Sequence, residues 1–133
     1  MPTRAEHRDT TESAIIAAGQ RLLAEGGADA LTIRGVAREL DLVPSALYRY
    51  VTKREDLLDL LVQHAHADLA ASIQAAHDAV PRADLAGRWR AFAYTMRDWT
   101  LAHRHEWKLI QNTVLTQRHP RPDQHYALHV LLL

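Results

Sequence analysis

The sequence predicts an all-α protein in two parts: a three-helix head containing a helix-turn-helix, and a second, partial set of helices behind it. Two observations carry this expectation. Between Thr32 and Leu58 two short apolar-striped segments flank a turn and a third helix follows. From Lys53 onward apolar residues recur at three- and four-residue steps, with breaks at Pro81, around His103 and at His119.

The elements follow in order. Residues 1–9, MPTRAEHRD, are polar and read as a flexible N-terminal arm. A first helix is expected to start near Thr10 or Thr11, bury Ile15, Ala18, Leu22 and Leu23 in part, and stop at Gly26-Gly27. Thr32 can cap a second helix, whose inward positions Ile33, Val36, Ala37 and Leu40 leave Arg34, Arg38 and Glu39 on its other side. Ala37 leaves room for another helix to cross closely. Asp41 suits the turn, because Asp tolerates a left-handed backbone better than most residues. Pro44 opens a third helix at the position where its missing N–H costs nothing. Leu47 and Val51 then face inward, leaving Ser45, Ala46, Tyr48, Arg49 and Tyr50 for its exposed face and rim. Thr52-Lys53-Arg54-Glu55 fits a capping box, with Thr52 as cap and Glu55 reaching back. The fourth helix should run from about Lys53 to about Asp78, bound to the first two by Leu57, Leu58 and Leu61. Beyond Pro81, Leu85, Trp89, Phe92, Met96 and Trp99 form the stripe of a fifth helix. His103-Arg104-His105 reads as a turn. A sixth helix follows from Glu106 to about Gln117, with Trp107, Ile110, Val114 and Leu115 on its apolar side.

Composition narrows the function. The chain has 133 residues, 47% of them hydrophobic, no cysteine and no formal net charge. That is enough apolar material for a folded core, and it rules out disulfides, thiolate metal sites and cysteine nucleophiles. No stretch has the apolar length of a membrane span and no secretory leader pattern is present, so a cytoplasmic protein is expected. The charge is unevenly placed. From Thr32 to Arg54 the chain carries Arg34, Arg38, Arg49, Lys53 and Arg54 against Glu39 and Asp41, a net +3. A short helix with a basic surround is sized for the major groove of duplex DNA.

Ala17-Ala18, Leu22-Leu23, Gly26-Gly27, Leu31-Thr32-Ile33-Arg34, Val36-Ala37, Leu47-Tyr48-Arg49-Tyr50-Val51 and Arg54-Glu55-Asp56-Leu57-Leu58 stand in order and at matching spacing. Through them residues 10–62 resemble the DNA-binding domain of the TetR family of transcriptional regulators. A looser likeness, through Trp89, Arg90 and His103-Arg104-His105-Glu106-Trp107, extends to the effector domain of an actinobacterial-type subgroup.

The resemblance implies a DNA-binding domain over 10–56 and a partial effector and dimerisation domain over 57–133. It places Arg34, Pro44, Ser45, Ala46, Arg49 and Tyr50 near base edges, and Thr32, Tyr48, Lys53 and Arg54 at phosphates. It also implies a homodimer on duplex DNA and a small-molecule effector held by some of Trp89, Phe92, Met96, Trp99 and Trp107. The expected role is that of a ligand-responsive repressor. Core packing is the competing account of the aromatic stripe. Arg4 and Arg8 could reach phosphates as an arm does.

The chain departs from the family pattern at two places in the motif. Asp41 stands where a glycine is usual, and Val43 where a serine caps the reading helix. Losing that cap costs roughly 0.5–2 kcal/mol. Arg54 replaces a lysine with charge kept.

No catalytic constellation is present: there is no nucleophile elbow, P-loop or GxGxxG, so neither an enzyme nor a cofactor is expected. His64 with Asp68, and His125 with His129, have helix-face spacing, but no third metal ligand can be assigned. The apolar run from Tyr126 to Leu133 stops without a cap, and the helices that pair TetR-like dimers are missing. The expectation is a fragment, or a chain that dimerises through another surface. The other function class is a truncated regulator that acts by pairing with a full-length partner.

Overall fold

A computed structural model describes residues 3–115, and among them every regular element is helical. In chain order these are α1 (Arg4–Gly26), a single 3-10 turn (Ala28–Ala30), α2 (Ile33–Glu39), α3 (Pro44–Leu47), α4 (Arg54–Asp78), α5 (Leu85–Ala102) and α6 (Arg104–Leu115). The chain divides into two compact units between Val62 and Gln63, so α4 contributes residues to both.

The first unit closes around Ile15, Ala18, Leu22, Leu23, Leu31, Val36, Ala37, Leu47, Val51, Leu57 and Leu61, all buried. Every inward position expected for α1 is therefore inside, whereas Ile33 and Leu40 of α2 are half-buried. α1 starts earlier than the sequence reading places it. Residues 4–9, expected as part of a free arm, form its first turns. The cause is a capping box in which Thr3 accepts from the Glu6 N–H while the Glu6 carboxylate accepts from the Thr3 N–H. At its other end Gly27 adopts φ 70° and returns its N–H to the Leu23 carbonyl at 2.9 Å, a conformation that favours glycine.

Two features fix α2. The Thr32 hydroxyl accepts from the Gly35 N–H at 2.9 Å, as its N-cap role predicts. Gly35 is itself buried. A Cβ there would stand 2.9 Å from the Thr32 hydroxyl, 3.2 Å from Leu22 Cδ1 and 3.3 Å from the Ala30 carbonyl, so a larger residue would have to displace the Thr32 cap and the Leu22 side chain.

The second unit has its own core of Ala65, Leu69, Ile73, Trp99 and Ile110, with Phe92, Met96 and Trp107 packed against it. α4 ends at Asp78, as expected ahead of Pro81. Asp84 caps α5 by accepting from the Gly87 N–H at 2.8 Å. The turn expected over 103–105 is shorter: His103 alone separates α5 from α6, its N–H returning to the Trp99 carbonyl at 2.8 Å. The α6 residues Leu109 and Ile110 are both buried, Leu109 without having been singled out by the stripe. The loop at His119-Pro120-Arg121-Pro122, the apolar run to Leu133 and the pair His125/His129 lie outside the described residues.

Candidate nucleic-acid interface

The turn between α2 and α3 is built almost wholly from main chain. Asp41 takes φ 53°, the left-handed conformation its residue type predicts, and it is the sole non-glycine residue with positive φ among those described. Around it the Asp41 N–H reaches the Arg38 carbonyl at 3.2 Å and the Leu42 N–H reaches the Ala37 carbonyl at 2.8 Å. This pair of bonds is a Schellman motif, which satisfies carbonyls that the end of α2 would otherwise leave open.

α3 then starts at Pro44 with Val43 as cap. Val43 makes no side-chain capping bond; closure comes from the Ala46 N–H on the Val43 carbonyl at 3.0 Å. The helix is one turn long and is continued by a bend in which the N–H groups of Tyr50 and Val51 both reach the Leu47 carbonyl, at 2.9 and 3.0 Å. With so few backbone bonds of its own, α3 is held down by Leu47, which is 0% exposed, and by Val51 behind it.

The residues expected at base edges divide by exposure. Arg34 on α2 and Pro44, Ser45 and Arg49 on and after α3 are exposed, while Ala46 and Tyr50 are half-buried at the rim. Leu42, Val43 and Tyr48 are exposed large apolar side chains on the same segment. Among the expected phosphate contacts, Thr32, Tyr48 and Lys53 are exposed. Arg54 is not free in the same way: its Nε donates to the Leu31 carbonyl at 3.0 Å and an Nη donates to the Ala28 carbonyl at 2.5 Å. Arg38, which the sequence reading left out of the site, is exposed as well. Glu39, one of the two acids in this basic window, pairs with Arg21 at 3.3 Å, which sets its charge against α1.

The start of α4 is capped one residue later than the sequence suggests. Asp56, rather than Glu55, reaches back: its Oδ2 accepts from the Thr52 hydroxyl at 2.6 Å, the Thr52 N–H at 2.9 Å and the Lys53 N–H at 3.1 Å. Asp56 is the third residue of the helix, and its shorter side chain meets those donors directly. The Thr52 hydroxyl first, then the Thr52 N–H, hold its carboxyl below the usual aspartate range. A carboxyl lowered in the folded state stabilises above its unfolded value, and that contribution disappears as pH falls through the folded value. Asp56→Asn should therefore lower the thermal midpoint at pH 7, with the gap from the parent chain closing as pH falls below about 4, the ordinary aspartate value. A gap independent of pH would show that the carboxylate's charge is not what holds this turn.

Of the five residues expected to line an effector site, the structure gathers four. Phe92, Met96, Trp99 and Trp107 meet at the second core. Trp89 is 64% exposed and stacks on the outer side of Phe92, centroids 5.4 Å apart. Trp99 donates its indole N–H to Asp68 Oδ2 at 2.7 Å and stacks on His103 at 4.5 Å. Asp68, considered with His64 as a metal ligand, is thus a partner of Trp99.

The family described as "Bacterial regulatory proteins, tetR family" matches residues 15–61, from the middle of α1 into α4. The chain is 34% identical over 121 residues to HTH-type transcriptional regulator Rv1816 of Mycobacterium tuberculosis, and equally to Mb1846 of Mycobacterium bovis. Each alignment covers 91% of this chain and 52% of the relative, so the chain spans about half the length of these regulators. The crystal structure of SCO4313, named as a regulatory protein, matches with a TM-score of 0.66 at 29% identity, over 82% of this chain and 51% of that one. A protein of unknown function from Rhodococcus sp. RHA1 shares the fold, with a TM-score of 0.75 at 24% identity over 90% of this chain and 61% of its own. The family match falls on the helices that carry the turn at Asp41 and the exposed side chains around it, so it is residues 15–61 that are similar to the tetR family of bacterial regulatory proteins.

Proposed function

We propose that the chain is a sequence-specific, DNA-binding transcriptional regulator of the cytoplasm, a ligand-responsive repressor that acts as a homodimer. The observation that carries the reading is the geometry around Asp41. A buried Leu47 and a main-chain turn present Ser45, Tyr48 and Arg49 outward, with Arg34, Arg38 and Lys53 exposed beside them. In this reading α3 enters the major groove. Arg34 and Arg49 supply paired donors to guanine O6 and N7, Pro44, Ser45, Ala46 and Tyr50 approach neighbouring base edges, and Ala46 offers its methyl to thymine. Thr32, Tyr48 and Lys53 meet phosphate oxygens.

The same reading divides the chain into a head over 10–56 and an effector and dimerisation domain from 57 onward. The effector would contact Phe92, Met96, Trp99 and Trp107, and α4, which has residues in both units, would carry the change to the head. No described helix is long and apolar enough to cross a membrane.

Selection from a random duplex library with the 133-residue chain tests the reading. A palindrome with half-sites about one helical turn or more apart is the expected product. A single half-site would overturn the homodimer, and no enrichment would overturn the reading as a whole. On the enriched site Arg49→Ala should relax preference at one base position by about 1–3 kcal/mol and leave the others as they were. A uniform loss across all operator variants would remove Arg49 from base reading.

A further inference from the structure

Arg54 stands at the first position of α4 but turns back on the protein. Its two hydrogen bonds go to the carbonyls of Ala28 and Leu31, more than twenty residues earlier in the chain, and the side chain is half-buried where it makes them. Those carbonyls bracket the 3-10 turn that joins α1 to α2. Ala28 opens that turn, and its oxygen already accepts from the Leu31 N–H at 3.2 Å, so Arg54 occupies the second lone pair. Leu31 is the residue immediately before Thr32, whose hydroxyl caps α2. A guanidinium suits this task because its donors lie in one rigid plane and can hold two separated oxygens together. A lysine ammonium is a single point of charge on a flexible stem and cannot reproduce that bridge. Meeting a phosphate with the same face of the group would require both charge-assisted bonds to open.

We propose that Arg54 is a positioning residue for DNA recognition, which ties the 28–31 turn to α4 and so sets the angle at which α2 enters the motif. The phosphate contact at this place belongs to its neighbour Lys53, whose side chain is exposed. The link from clamp to groove is short. α2 is only seven residues long and passes through the main-chain turn at Asp41 directly into α3, so a shift at the start of α2 moves the reading side chains. The inference rests on the proposed DNA-binding role and reassigns the part that the family resemblance gives to Arg54.

The test measures affinity against salt for the selected duplex, using the 133-residue chain and its Arg54→Lys, Arg54→Gln and Lys53→Gln variants at a temperature where circular dichroism shows each folded. Amide exchange of the free proteins is followed in parallel. Arg54→Lys and Arg54→Gln are each expected to lose about tenfold in affinity (~1.4 kcal/mol) with the slope of log K against log salt unchanged. Lys53→Gln is expected to lower that slope by about one. In Arg54→Lys the amides of residues 28–36 should exchange about tenfold faster, since a tenfold change corresponds to ~1.4 kcal/mol of local opening. Full affinity in Arg54→Lys, with a slope lowered by about one in Arg54→Gln, would overturn the proposal in favour of a direct phosphate contact. Unchanged affinity in both folded variants would overturn it in favour of a purely structural arginine. If the parent chain itself selects no duplex, the DNA-binding reading fails separately, and unchanged exchange at 28–36 would then remove the clamp too.

Discussion

Trp99→Ala is expected to cost the second unit about 3–5 kcal/mol. Trp99 is 5% exposed and sits among Ala65, Leu69, Ile73 and Ile110, so its removal opens a cavity that α4, α5 and α6 line together. The loss has a polar part as well, because the Asp68 carboxylate accepts the indole N–H at 2.7 Å. Trp99→Phe separates the two. It keeps most of the ring and deletes the donor, at about 1 kcal/mol, since Asp68 is half in water and can be resolvated there. Urea unfolding followed by exchange in residues 63–78 reads both variants. A cost below about 1 kcal/mol for alanine would mean that the second core does not depend on this side chain.

Leu47→Ala should cost the first unit about 2–5 kcal/mol and should impair DNA binding beyond what that instability explains. α3 is a single turn with an uncapped valine at its start, and Leu47 is its one fully buried side chain. Without the leucine, the segment carrying Ser45, Tyr48 and Arg49 loses what fixes its height above the core. Leu47→Met, nearly volume-conserving, should cost less than about 1.5 kcal/mol and retain binding. The comparison is made by chemical denaturation and by affinity for the selected duplex under conditions where both variants are folded. Equal affinities for Leu47→Ala and the parent would show that α3 is positioned by its loops rather than by its anchor.

What the sequence made legible was local. Thr32 as a cap, Gly27 as a helix stop, Asp41 in a left-handed turn and the span of α4 each depend on residues within a few positions of one another, where residue type and backbone conformation are directly coupled. Errors of up to about two turns came from competition between equally local signals. Thr3 and Glu6 cap α1 ahead of the expected Thr10, because a polar first turn leaves no apolar period to betray it. Asp56 displaces Glu55 at the start of α4 because both are acidic and only geometry chooses between them.

The long-range pairings were out of reach. Nothing in the vicinity of Arg54 announces Ala28 and Leu31, and nothing near Trp99 announces Asp68. The aromatic stripe of α5 was visible as a period, but the period cannot say that Trp89 at one end would stay in water while Trp99 at the other became core. Buried Gly35 carried no periodic signal at all; its meaning lies in the carbonyl of Ala30 and the side chain of Leu22 across the gap.

The bend at Asp41 has a consequence for how such a head can diversify. Its closing bonds run from the Asp41 and Leu42 amides to the Arg38 and Ala37 carbonyls, and the side chains of Leu42 and Val43 take no part in them. Substitution at 42 and 43 is thus largely uncoupled from the stability of the bend. A library varied at these two exposed positions should retain a folded head in most members, with no compensating change in the core.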